Sequence, residues 1–372
     1  LLLAALAGCR DTPDPSPNYR EYAYVSNGGS NNVTVIDLRA LTILATVPVG
    51  RSPSGLAVNP KKNEIYVANT ESNSVSVIDA ETNKVISTIG VNRAPFFVDV
   101  SRNGQRAYVA NSGSANVSVI DLEQRKVVKN IQTGNGSNLA RLTPDGKLLI
   151  VTLHDEDSIA VIDTEKLAVR DKVKVCAKPV ELAVLPDSSK VFVACSESKQ
   201  IGVVDLKGPN NSDKLLALLD VGKTPIHVTA KPDGGEVFVC NYDASSISEI
   251  VTASNEVNNT FPIGDHPVRS LISPDNALLY VANFGSDSIA VYSIDTGKRT
   301  SYVTVGSHPE AMAFSPNQLL LLVVNTGSGD MTVLSLIDHT GHPQPDAPAL
   351  ETMIPLGKSP RAIVVKAFIS QK

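Results

Sequence analysis

The chain has no tryptophan, three methionines and only 5% aromatic residues. Its interior must therefore be filled by Val, Ile, Leu and Ala, which suits closely stacked sheets. Positive charge is not in excess: the formal net charge is −5 and the sequence pI is near 5.7. That balance excludes a global electrostatic footprint for nucleic acid. Beyond the first nine residues there is no apolar lead segment, and those nine are too few for an ordinary membrane-spanning helix. Also missing are a nucleophile elbow, a Gly-rich phosphate loop and a Cys-x-x-Cys-His haem attachment. Acids are scattered over turns, so no catalytic carboxylate pair can be singled out.

What is present is a repeat. Tyr24-Val25-Ser26-Asn27 returns as Tyr66-Val67-Ala68-Asn69 and Tyr108-Val109-Ala110-Asn111. Ile150-Val151-Thr152-Leu153 and Phe192-Val193-Ala194-Cys195 are weaker copies. Phe238 to Asn241, Tyr280 to Asn283 and Leu322 to Asn325 complete the set. The last residues stand at 27, 69, 111, 153, 195, 241, 283 and 325, a step of 42 broken once by 46. Short strands at that period predict an all-β fold, a single β-propeller with one four-stranded blade per repeat. Within the unit from Pro53, the strands are Ser54 to Val58, Glu64 to Asn69, Ser74 to Asp79 and Lys84 to Ile89, separated by Pro, Asn and Asp clusters. A Val-Gly-x-x-Pro segment (Val49 to Pro53, Val221 to Pro225, Val305 to Pro309) carries the chain from one blade to the next.

Innermost strands follow Pro53, Pro95, Ser137, Pro179, Pro225, Pro267, Pro309 and Pro360, which predicts eight blades, with seven as the alternative. The propeller is expected over 21–372, closed by pairing the C-terminal inner strand with the three N-terminal strands so that no sheet edge stays open.

The Tyr-Val-x-Asn strand, the Val-Ser-Val-Ile-Asp strand (Val75 to Asp79, Val117 to Asp121) and the Gly-x-x-Pro crossing resemble the YVTN β-propeller repeat family. That family occurs in archaeal surface-layer proteins and bacterial exported proteins. The resemblance covers nearly the whole chain after the tether and implies a propeller and export, without implying one activity.

Residues 1–20 read as the end of a lipoprotein-type signal and a Pro-rich tether. Leu6-Ala7-Gly8-Cys9 resembles a lipobox, which would make Cys9 the lipidated residue. An exported, periplasmic or cell-surface monomer tethered only by lipid is the expectation. Three cysteines remain. Buried free thiols are the simpler reading, while Cys176 and Cys195, at one end of one blade, are the pair to expect if a disulfide forms.

Side chains alternate along a strand. The third and fifth residues after the Pro are nearly all apolar, whereas the second and fourth include Asp99, Arg141, Glu181, His227 and Arg269 on five consecutive blades. These five are expected to face the central channel. They would form either an alternating acid–base girdle or an anion or small-ligand site on Arg141, His227 and Arg269. His266 and His308 share the pre-Pro slot of neighbouring blades at one channel mouth, as exposed loop residues or as a shared metal or acidic-partner site. Asp338-His339-Thr340-Gly341-His342 lies in an enlarged loop on the opposite face. The leading functional expectation is a non-enzymatic binding scaffold for an envelope protein, glycan or small ligand. No cofactor is predicted. A haem- or metal-bearing redox propeller and a lactonase-like hydrolase are the alternatives.

Overall fold

The computed structural model describes residues 16–208 and 212–371, so Cys9 and most of the tether lie outside the described residues. Eight four-stranded antiparallel sheets make up the ring, rather than seven. Seven are consecutive in sequence: β4–β7 (53–90), β8–β11 (95–132), β12–β15 (137–174), β16–β19 (179–220), β20–β23 (225–262), β24–β27 (267–304) and β28–β31 (309–355). Their innermost strands are β4 (Pro53–Val58), β8 (Pro95–Val100), β12 (Ser137–Leu142), β16 (Pro179–Val184), β20 (Pro225–Ala230), β24 (Pro267–Ile272) and β28 (Pro309–Phe314).

The eighth sheet has the order β3-β2-β1-β32, joining β1 (Tyr19–Asn27), β2 (Asn32–Asp37) and β3 (Thr42–Pro48) to β32 (Pro360–Ile369). The closing strands begin two residues earlier than the repeat suggests, because Tyr19 and Arg20 extend the pairing to Ile369 and Phe368. Closure removes both open edges of the ring.

Each blade interface holds one apolar cluster. The aromatic residue that opens the repeated motif is its anchor: Tyr24, Tyr66, Tyr108, Phe192, Phe238 and Tyr280 are all fully buried. Tyr66, for example, leaves its own blade to pack with Val98, Val100 and Val109 of the next. A strand that is buried on both faces needs this near-continuous apolar run.

The repeated Asn belongs to the scaffold. Asn69 Nδ2 donates to Ser74 Oγ at 3.2 Å and Ser76 Oγ at 2.9 Å, and Asn111 and Asn241 repeat the pattern on their own third strands. The crossing glycine lies against it: a Cβ on Gly50 would stand 2.7 Å from Asn69 Cβ, and one on Gly222 2.7 Å from Asn241 Cβ. In β16–β19 both partners change together. Cys176 takes the glycine position, Cys195 takes the Asn position, and they form a disulfide with Cα atoms 5.7 Å apart. The reading of these two as free thiols is thereby corrected. Among the described residues Cys240 alone is free, and burial pushes its thiol up to about 12.

Candidate functional site

The inner strands carry a feature that alternation alone does not reveal. In β16, Pro179 pairs with Cys195 and then Glu181 with Ala194, so Val180 is an extra residue. The same shift recurs in the other six consecutive blades. A bulge of this kind re-aims the side chains beyond it. Glu181 and Ala183 then share a face with Ala194 and Phe192, which pack towards the next blade. The second and fourth positions thus look along the ring at the following inner strand, and only long side chains reach the channel. This corrects the expectation that all five ionisable residues point at the axis.

Four of the five meet. Glu181 receives Arg141 Nη2 at 3.3 Å from the preceding blade and Arg269 Nη1 at 3.1 Å from two blades further on. His227 stands between, its Nδ1 3.7 Å from Glu181 Oε2 and 3.1 Å from Arg269 Nη1. Because the guanidinium can only donate, Nδ1 accepts and Nε2 carries the assigned proton. Nε2 faces the Ser270 carbonyl at 3.2 Å and Thr229 Oγ1 at 2.8 Å. Burial, then the Arg269 charge, holds the imidazole below its ordinary value and therefore neutral. Burial alone would raise the Glu181 carboxyl, but the Arg141 and Arg269 charges outweigh it and hold it far below the usual carboxylate range.

Asp99 stays outside the ion-pair cluster. Its carboxylate accepts the Leu142 N–H at 2.9 Å and the Val100 N–H at 2.9 Å, and burial raises its pKa despite those bonds and Arg141. The alternating girdle is therefore corrected to a four-blade cluster in which one carboxylate serves two guanidinia. Their exposures differ: the Glu181 side chain is 11% exposed, those of Arg141 and Arg269 40% and 35%. Arg141 also lies over the Phe97 ring at 5.4 Å. The channel thus shows donors and hides the acceptor.

His266 and His308 each pack against a different ring. His266 packs on Tyr242 with ring centroids 4.4 Å apart, and its Nδ1 meets Asp265 at 2.9 Å. His308 stacks on Phe284 at 4.3 Å. Tyr242 and Phe284 went unnoticed in the sequence. Each follows the motif Asn, a slot held elsewhere by Gly28, Thr70, Ser112, His154, Ser196 and Thr326. Comparing that slot between blades would have exposed them. On the opposite face, Asp338 organises its own loop by accepting the Thr340 and His342 N–H groups. No group of three or more potential metal ligands exists among the described residues, and none of their helices is long and apolar enough to cross a membrane.

A closed ring of eight antiparallel blades around a charged channel defines a β-propeller. A family model described as YNCE-like beta-propeller matches residues 57–140 and 131–366, and the chain belongs to that family. No curated protein matches it. Among solved structures it is similar to dihydro-heme d1 dehydrogenase NirN in complex with DHE, with TM-score 0.75 and 15% identity over 92% of this chain and 74% of that one. It is also similar to Kuenenia stuttgartiensis hydrazine synthase, with TM-score 0.59 and 22% identity over 73% and 91%. A putative 6-phosphogluconolactonase from Bacteroides fragilis NCTC 9343 gives TM-score 0.64 and 15% identity over 95% and 99%. At such identities the likeness is one of fold.

Proposed function

We propose that this chain is an exported, lipid-tethered propeller of the YVTN-repeat type that works by binding, and that its channel takes a ligand rich in hydrogen-bond acceptors. The observation that carries this is the exposure difference between the Arg141 and Arg269 guanidinia and the covered Glu181 carboxylate. Each guanidinium has five N–H donors. The contacts with Glu181, His227 and the Glu310 carbonyl leave donors on both arginines facing the channel. Anionic carboxylate or phosphate groups match such donors in geometry as well as charge. The Cys176–Cys195 disulfide supports export, since such bonds persist in oxidising compartments. Cys9 would supply the lipid anchor.

A catalytic or haem-binding role asks more of His227 than its surroundings leave free. Nδ1 already accepts from Arg269 and Nε2 faces Ser270 and Thr229, so the ring offers neither a ligating lone pair nor a free base. The test is calorimetric titration of the full chain with citrate, succinate and inorganic phosphate, beside the Arg269→Gln and Arg141→Gln variants. Binding of at least one anion, weakened tenfold or more in both variants, is expected. No binding of any, or binding indifferent to both substitutions, would remove the reading.

A further inference from the structure

In a chain so poor in aromatic residues, four rings gather on one arc of one channel mouth. Tyr242 and Phe284 come from the turns after β21 (Glu236–Asn241) and β25 (Leu278–Asn283). His266 and His308 come from the crossings into β24 and β28. The contacts run continuously across three blades: Tyr242 to His266 at 4.4 Å, Tyr242 to Phe284 at 6.4 Å and Phe284 to His308 at 4.3 Å. None of the four is fully buried, and His308 is exposed. We propose that this crescent is a sugar-binding platform, a stacking surface for the apolar face of a pyranose ring.

Two glycines make room for the arrangement. A Cβ on Gly285 would stand 2.7 Å from His266 Nδ1, and one on Gly327 2.6 Å from His308 Nδ1. Neither glycine has a left-handed φ, so space rather than backbone conformation requires them. The equivalent slot holds Glu71, Asp155, Glu197 and Asp243 in four other blades and Gly29 and Gly113 in two. Each imidazole thus occupies the space that a side chain on its glycine would need.

Ring geometry and charge together select the ligand class. Tyr242 is tilted 60° to His266 and 54° to Phe284, while Phe284 and His308 are parallel within 7° and closed on each other. No open parallel pair exists here to sandwich a flat heterocycle. A tilted set of ring faces instead suits a puckered ring whose polarised C–H groups point at the negative π faces. Sugar hydroxyls need acceptors beside such a surface. Asp265 pairs with His266 at the edge of the arc, and Asp243 accepts from Thr224 Oγ1 at 2.7 Å and pairs with Lys223 Nζ at 3.1 Å; both carboxylates are partly exposed. The Asp265 carboxylate opposes a phosphate polymer, and Arg269 on the inner side opposes a cation.

This site rests on its own contacts and not on the anion reading of the channel. The probes are uncharged oligosaccharides of glucose and of N-acetylglucosamine, three to four units long, observed by saturation-transfer NMR on the full chain. Contact at pyranose C–H protons is expected. Phe284→Ala should weaken binding at least tenfold, and Gly327→Ala should weaken it by displacing His308 while the melting transition stays cooperative. Arg269→Gln should leave binding of the uncharged sugars unchanged even where it abolishes anion binding. Failure of every sugar to bind, or binding indifferent to Phe284→Ala in a folded variant, would overturn the proposal. So would a single-stranded oligonucleotide binding at the crescent in place of the sugars.

Discussion

At the scale of single residues, His227 is where acidity should be felt. An unfolded imidazole takes a proton near pH 6.5, whereas the folded one, buried beside Arg269, resists it to lower pH. Between the two values the unfolded chain holds more protons, so stability falls as pH falls through about 6.5. The contribution is fully present above that pH. Glu181 behaves differently: its depressed folded value keeps its contribution intact until pH drops through the ordinary carboxylate range. Urea unfolding between pH 8 and 5 should therefore show a decline that His227→Gln flattens. Parallel curves for parent and variant would mean that the imidazole is not held neutral.

At the scale of strands and their connections, the blade positions were legible because β-branched runs and Pro-Asp-Gly turns fix them locally. The inner strands begin at the residues that the repeat indicates, Pro53 through Pro360. What could not be read is the register shift after each of those prolines, since a bulge depends on pairing with the second strand. One unpaired residue at Val180 decides which of the two neighbouring blades Glu181 faces. The pairing of Glu181 with both arginines follows from that shift, as does the separate role of Asp99. The replacement of a Gly–Asn contact by Cys176 and Cys195 belongs to this scale too. The two residues are 19 apart in sequence, and closing a loop of that size stabilises by on the order of 3 kcal/mol. Cys176→Ser with Cys195→Ser should lower the unfolding midpoint by a matching amount. An unchanged midpoint would show that packing at this interface, and not the covalent link, holds the blade.

At the scale of the molecule, the ring depends on β32. It is ten residues long and pairs with nine-residue β1 through register partners from Tyr19↔Ile369 to Asn27↔Pro360. Lys366 Nζ adds a bond to the Asn59 carbonyl at 2.9 Å, fastening the same strand to the next blade. Removing Pro360 to Lys372 should abolish cooperative thermal unfolding, as seen by calorimetry. A truncated chain that melts as sharply and as high as the parent would exclude this closure.

That closure also sets an order of assembly. A chain emerging from the ribosome exposes β1 more than 330 residues before its partner exists, as the 336-residue span from Ser26 to Ala362 shows. Throughout that interval a long strand containing Tyr22, Tyr24 and Val25 waits with an unpaired edge, which is a template for misassociation. The nascent molecule must be shielded or kept extended until β32 is made. The appearance of that strand therefore acts as the signal that β1 is safe to fold.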